Sequence, residues 1–183
     1  MFRVDRMKVV GLAGWSGAGK TTLLTRLIPH LAGLGLTVST IKHAHHAFDV
    51  DKPGKDSWMH REAGAREVLI SSSNRFALMH ELRGAPEWTL PQLLHKLSPC
   101  DLVIVEGFKR CGHPKIEVHR AANGKPFLWP DDPDILGVAS DVEAGPDAPT
   151  RVHLDDVGAV ADMMLSAAMD INDLRWRLAQ RGD

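Results

Sequence analysis

Gly14, Gly19, Lys20 and Thr21 stand at the spacing Gly-x-x-x-x-Gly-Lys-Thr, within the stretch Gly14-Trp-Ser-Gly-Ala-Gly-Lys-Thr21. That spacing is the one a phosphate-binding loop needs. Glycines let the backbone curl until several N–H groups, along Ser16, Gly17, Ala18 and Gly19, point at phosphate oxygens. A helix that starts at the loop adds the positive end of its dipole. Lys20 would neutralise β- and γ-phosphate charge, and the Thr21 hydroxyl would coordinate Mg²⁺. The expected ligand is therefore a nucleoside triphosphate with magnesium.

A second group of residues carries complementary chemistry. Asp101-Leu-Val-Ile-Val-Glu106-Gly107 is an apolar run bracketed by carboxylates. A phosphate-loop protein needs a carboxylate at the end of a neighbouring strand, to hold Mg²⁺ directly or through water. Glu106 lies at the carboxyl end of the run and is the better candidate, a catalytic and metal-side partner for Lys20. Asp101 begins the strand, about 15 Å away, and reads as a strand-start or turn residue. Ser140-Asp141 follows another apolar run. A carboxylate there could accept from guanine N1–H and its exocyclic amine, donors that adenine lacks. An ordinary turn or cap role for Asp141 is the competing reading.

The remaining polar clusters are less specific. Lys42-His43-Ala-His45-His46, with His60 further on, could bind Zn²⁺ or Ni²⁺ through imidazoles. No cysteine or carboxylate set at ligand spacing completes it, so a polar loop on the phosphate side is favoured. Lys52, Lys55 and Arg61 lie among Asp49, Asp51 and Asp56. Lys109, Arg110, Lys115 and Arg120 follow Glu106. Either group could meet a second, anionic ligand or form a solvated surface.

These residues need a scaffold. Lys8–Ala13 reads as a buried strand leading into the loop. Leu23, Leu24, Leu27, Ile28, Leu31 and Leu34 share one helix face. Pro29 is expected to kink or shorten that helix, and Gly33 and Gly35 to end it. Further strands are expected at Leu36–Ile41, Val68–Ser71, Phe76–Met79, Leu102–Val105, Lys115–His119 and Ile135–Ala139. Helices are expected at Lys55–Gly64, at Leu90–Leu97 and along a tail of about 155–183, with Ile171, Leu174 and Leu178 as an extension or a separate turn. Alternating strands and helices imply an α/β fold of the P-loop NTPase type, a mostly parallel sheet flanked by helices. Ligands in such sheets collect at the carboxyl ends of the strands, where every motif above falls.

Composition sets the outer bounds. The 183 residues suit one domain with a sizeable core. A net charge of −1 gives no global pull toward nucleic acid or an anionic membrane. Two cysteines, Cys100 and Cys111, make no disulfide framework, and a cytoplasmic location is expected. No run approaches the ~18–20 apolar residues of a membrane span.

Taken together, GWSGAGKTTLL, IKHAHHAFDVDKPGKDS with REAGA, LVIVEGFK and VASD resemble the molybdopterin-guanine dinucleotide biosynthesis protein B (MobB) family. The resemblance runs from about Lys8 to Asp141, and the stretch around Lys42–Ser57 is its distinctive part. It implies a GTP-binding P-loop protein, a homodimer with weak GTPase activity. Such a protein assists a MobA-type guanylyltransferase that joins GMP to molybdopterin. By match, Gly17–Thr22, Thr22 included, would hold the phosphates and Mg²⁺. Glu106 would lie near the metal and Asp141 would face guanine. His43, Asp49, Lys55 and Asp56 belong to the distinctive loop, which with Lys109 could form a second-ligand or switch segment. Two other classes remain open: a metal-insertion GTPase of the nickel-delivery type and a P-loop small-molecule kinase. Slow hydrolysis is expected, because no water-positioning glutamine and no arginine finger is identifiable.

Overall fold

A computed structural model describes residues 7–44 and 48–182. Contacts divide the chain into two units, one of Met1–His43 with Thr89–Asp183 and the other of Ala44–Trp88. In chain order the elements are β1 (Lys8–Ala13), α1 (Lys20–Gly33), β2 (Val38–Lys42), α2 (Asp56–Glu62), β3 (Glu67–Ser71), β4 (Phe76–His80), α3 (Leu90–Leu94), β5 (Leu102–Glu106), β6 (Lys115–His119), β7 (Ile135–Ser140), β8 (Thr150–His153), α4 (Val157–Ala167), β9 (Met169–Asp170) and α5 (Ile171–Arg181).

The larger unit is a sheet in the order β2-β5-β1-β6-β7-β8, parallel throughout, with β9 added antiparallel to β1. This is the mostly parallel sheet with flanking helices that the alternating pattern implied. Its central strands are apolar on both faces, as burial between two helical layers requires. Val10, Leu12, Leu102, Ile104, Ile116 and Val118 pack on one side with Leu23, Leu27 and Leu31 of α1 and Val160, Ala161 and Met164 of α4. Val9, Val103 and Val105 pack on the other with Leu90 and Leu94 of α3 and Ile171, Leu174 and Leu178 of α5.

Several expected boundaries move for physical reasons. Pro29 lies inside α1, which continues four residues beyond it. Its ring is on the exposed side, where water can satisfy the carbonyl that loses its partner. Gly33 is still helical; Gly35 does the stopping. At φ +83°, it donates to Ala32 O (2.9 Å) while Leu36 N–H reaches Leu31 O (3.2 Å), a Schellman closure. Leu34 therefore leaves the apolar face and is 57% exposed. The Thr89/Gln92 capping box starts α3, which ends at Leu94 rather than Leu97. The tail is not one helix. Met169-Asp170 breaks it to pair with Lys8-Val9, so α4 and α5 cover opposite faces of the sheet. β8 had no clear signal in the sequence.

The second face is polar where β6 passes. Lys-Ile-Glu-Val-His alternates, so Ile116 and Val118 join the first core while Lys115, Glu117 and His119 point the other way. All three are buried and all three are paired. Lys115 Nζ sits 3.0 Å from Asp132 and 4.0 Å from Asp134. Glu117 accepts from Leu128 N–H (2.8 Å) and Trp129 N–H (2.9 Å). His119 stacks on Phe127 at 3.8 Å. Asp134 is further gripped by Arg177 and Arg181 of α5.

His113, fully buried, fills the space that Gly11 leaves open; a Cβ there would stand 2.3 Å from its Nε2. Burial, then the nearby Lys115 charge, bring the His113 pKa down to about 4. Between that value and an ordinary histidine's, the unfolded chain binds a proton that the folded chain does not. Stability is thus complete above about pH 6.5 and declines as pH falls toward 4, by about 3 kcal/mol in total. Urea unfolding at pH 7 and pH 4.5 should show a smaller acid loss for His113→Gln than for the wild type. Parallel losses would remove His113 as the cause. Burial pushes Glu117 in the opposite sense, but both proteins carry that contribution.

The smaller unit is a hairpin with one short helix. β3 and β4 pair antiparallel through the Ser/Asn turn, in the register Val68↔Met79 and Leu69↔Leu78. Val68 and Met79 are buried, whereas Leu69, Leu78 and Phe76 on the opposite face are exposed, with Phe76 at 70%. Arg61 of α2 is the clamp: it meets Asp49 at 2.8 Å, Asp51 at 3.4 Å and Glu81 at 3.2 Å.

Candidate functional site: the phosphate loop and the strand ends around it

β1 is central in the sheet and delivers the chain to the loop at its carboxyl end. Gly14 (φ +143°), Gly17 (φ +81°) and Gly19 (φ +92°) take backbone conformations that side chains resist. Gly14 is also constrained from outside, since a Cβ there would lie 2.5 Å from Val118 O. Ala18 is buried and its N–H donates to Trp15 O (3.1 Å), closing the curl. Ser16 and Gly17 form the exposed rim.

α1 opens directly from Gly19. Its N-terminus has no side-chain cap and no carboxylate in the first turn. Most helices satisfy those N–H groups from a side chain, so this end is left suited to an external anion. Thr21 and Thr22 are exposed in that turn. Lys20 arches back over the loop, donating to Gly14 O (2.8 Å) and Trp15 O (3.0 Å). Partial burial holds its pKa below the ordinary lysine value, while the Glu106 charge works in the other direction.

Glu106 ends β5, between Leu12 of β1 and Lys42 of β2 in register. Its carboxylate is 3.8 Å from Lys42 Nζ and mostly shielded, at 17% exposure. Gly107 (φ +103°) turns the chain where a Cβ would stand 2.6 Å from that of His43. Asp101, at the far end of β5, accepts from Thr37 N–H (2.8 Å) and Oγ1–H (2.6 Å), which holds its carboxyl below the usual range. It stands just before the strand, the strand-start or turn position that its place implied.

Asp141 follows β7. Its Oδ1 accepts from Ala121 N–H at 2.8 Å, and Oδ2 is 3.9 Å from the Arg120 guanidinium. A bracket thus links the ends of β6 and β7. The same bracket reaches the loop: Asn123 Nδ2 donates to Ser16 O (3.1 Å), and Trp15 Nε1 donates to Pro126 O (2.8 Å). The ammonium groups of Lys109 and Lys125 each lie 5.9 Å from the Trp15 ring centroid.

The other sequence candidates are distributed as follows. His43 and Lys109 belong to the larger unit, and His43 stacks on Phe108 at 4.5 Å. Asp49, Lys55 and Asp56 belong to the smaller one. There Asp49 is bound to Arg61, Lys55 precedes α2, and Asp56 sits in its first turn, where a carboxylate complements the dipole. Lys115 is withdrawn from any incoming anion by its burial against Asp132. His45 and His46 lie outside the described residues, and among the described residues no group of three histidines, cysteines or carboxylates could hold a metal. Cys100 and Cys111 are half-buried and are not joined in a disulfide. No helix among the described residues is long and apolar enough to cross a membrane. Trp15 and Asn123 had no signal beyond their types, and Arg120 stood out only as one of a basic cluster after Glu106, because nothing in the sequence says that β6 lies beside β1.

A parallel sheet with a glycine-rich loop leading from its central strand into an uncapped helix defines an α/β protein of the P-loop type. The sequence model "Molybdopterin guanine dinucleotide synthesis protein B" matches residues 9–141. The chain is 41% identical over 160 residues to the "Molybdopterin-guanine dinucleotide biosynthesis adapter protein" of Escherichia coli K12, covering 86% of this chain and 91% of that one. It is 38% identical over 166 residues to the protein of the same name from Haemophilus influenzae, covering 90% and 91%. Among solved structures, a "molybdopterin-guanine biosynthesis protein B (mobB)" superposes with a TM-score of 0.69 at 30% identity, over 86% of this chain and 98% of that one. The chain belongs to the MobB family.

Proposed function

We propose that this protein is a GTP-holding adapter in the assembly of the molybdenum cofactor. It binds GTP with Mg²⁺ and hydrolyses it slowly. It serves, in the cytoplasm, a MobA-type guanylyltransferase that converts molybdopterin to its guanine dinucleotide form. The names of its relatives support the pathway and the adapter role. The observation that carries the nucleotide reading is the loop itself: left-handed glycines, an uncapped α1 and Lys20 poised over them.

The residues present fit a magnesium nucleotide. Loop N–H groups from Ser16 to Thr22 and the Lys20 ammonium would hold the phosphates. The Thr21 hydroxyl and the Glu106 carboxylate are the oxygen donors a hard divalent cation takes. Mg²⁺, when bound, supplies neutralisation of phosphate charge. Lys20, already tied to Gly14 O and Trp15 O, would exchange those carbonyls for phosphate oxygens. Asp141 would read guanine, its carboxylate oriented beforehand by Ala121 N–H. Calorimetry with GTP, ATP and XTP tests this directly: GTP should bind best, and a preference for ATP would sink the GTP reading.

The adapter acts as a homodimer through the smaller unit. A two-stranded hairpin is marginal in water, and this one exposes Leu69, Leu78 and Phe76 on one face, with Phe48 and Val50 of the same unit also exposed. A second copy of the same face would cover it, in the isologous manner of twofold dimers. Sedimentation should give twice the 20.1 kDa chain mass, and Leu78→Asp should return it to one chain. A wild-type monomer at micromolar concentration would rule the homodimer out.

A further inference from the structure

Between the phosphate loop and Asp141 stands one side chain, that of Arg120. β6 ends at His119, and Arg120 follows in extended backbone before a 3₁₀ turn at Ala121–Asn123. That turn is fastened to Asp141 through Ala121 N–H and to the loop through Asn123 Nδ2 and Ser16 O. Arg120 is therefore held at a fixed place on the span. Its Nε and Nη2 lie 3.7 and 3.8 Å from where a Cβ on Gly19 would stand. Its Nη1 lies 3.9 Å from Asp141 Oδ2. The side chain is 35% exposed, so part of it still faces solvent.

We infer that Arg120 forms one wall of the base slot, its guanidinium stacking on the guanine ring. The inference rests on the nucleotide reading above. If phosphates lie in the loop and the base edge meets Asp141, the nucleotide must pass Arg120, which lies near both Gly19 and Asp141. A guanidinium is planar and weakly hydrated, and it stacks on π faces as an ammonium does not. Asp141 then has two neighbours: one oxygen is fixed by Ala121 N–H, and the other stands 3.9 Å from the guanidinium, beside the edge it reads. Arg120 is thus a specificity and positioning residue for the base. It is not a further neutralising charge for the phosphates, a task already met by Lys20.

The two roles separate experimentally. GTP affinity is measured by calorimetry on the full chain for the wild type, Arg120→Ala and Arg120→Lys, at about 0.05 M and about 0.5 M salt, ionic strengths at which phosphate charge is weakly and strongly screened. Arg120→Ala should lose about tenfold in affinity, the size of a partly desolvated cation–π contact, and Arg120→Lys should recover only part of it, since an ammonium lacks the plane that stacks. The factor should be the same at both salts. Unchanged affinity in Arg120→Ala overturns the inference. So does wild-type affinity in Arg120→Lys, or a loss that vanishes at high salt, since either marks a point charge acting on phosphate. Because the side chain is partly exposed, both variants should keep the wild-type circular dichroism and unfolding midpoint. Lys20→Ala runs alongside: if it retains GTP, the nucleotide reading fails first, and that outcome is distinct from an Arg120 result.

Discussion

Lys20→Ala should weaken GTP binding by at least about a hundredfold, the cost of removing one partner from a hydrogen-bonded charge pair. Two losses combine. The ammonium that would face the β- and γ-phosphates is gone. So, in the free loop, is the strap from Nζ to Gly14 O and Trp15 O that holds the curl before phosphate oxygens replace those carbonyls. The second loss concerns shape and the first concerns charge, and Lys20→Met separates neither. Lys20→Arg does, because it retains charge while changing reach, and it should recover only part of the affinity. The fold should survive, since Lys20 is only partly buried and the apolar cores on both faces do not include it. Calorimetry with GTP and Mg²⁺ measures the effect, with far-UV circular dichroism as the control. Unchanged affinity would mean that the loop does not bind phosphate in this protein.

Asp141→Asn should invert the base preference, lowering affinity for GTP by about 10- to 100-fold and raising it for XTP. The basis is the worth of hydrogen bonds to a charged group, about 1.5–3 kcal/mol. The geometry makes asparagine an unusually clean replacement. Oδ1 accepts from Ala121 N–H, and an asparagine carbonyl can keep that bond. The amide nitrogen then replaces Oδ2, the oxygen beside Arg120. An acceptor for guanine N–H groups becomes a donor, which xanthine's 2-oxo group can use. Equal GTP affinity in wild type and variant would leave Asp141 as a bracket residue alone, tying β7 to the turn after β6.

Much of the architecture was legible because local patterns coincide with tertiary roles. Leu23, Leu27 and Leu31 recur at helical spacing because α1 presents one stripe to the sheet. The run Leu102–Val105 is apolar without alternation because β5 lies between two packed layers. Asp101 reads as a strand-start or turn residue, and it stands just before β5 with its carboxylate taken up by Thr37. Where the reading moved, long-range contacts decided. Met169-Asp170 looks helical by spacing, yet pairing with Lys8-Val9 turns it into a strand and splits the tail. Lys115 looked available to an anion, yet Asp132 and Asp134, 17 and 19 positions further along, enclose it.

The loop at Gly14–Thr21 needs two glycines, a lysine and a hydroxyl at set intervals whatever surrounds it, because backbone curvature and charge at that spacing are properties of consecutive residues. That much the sequence determined alone, along with the α/β class. Tertiary structure decided what faces the loop. Strand order places Glu106 on one side of β1 and β6 on the other, and order in a parallel sheet depends on which strands pair across distant stretches of chain. From that order follow the bracket of Arg120, Asn123 and Asp141 and the partial burial of Lys20, none of which any local spacing encodes.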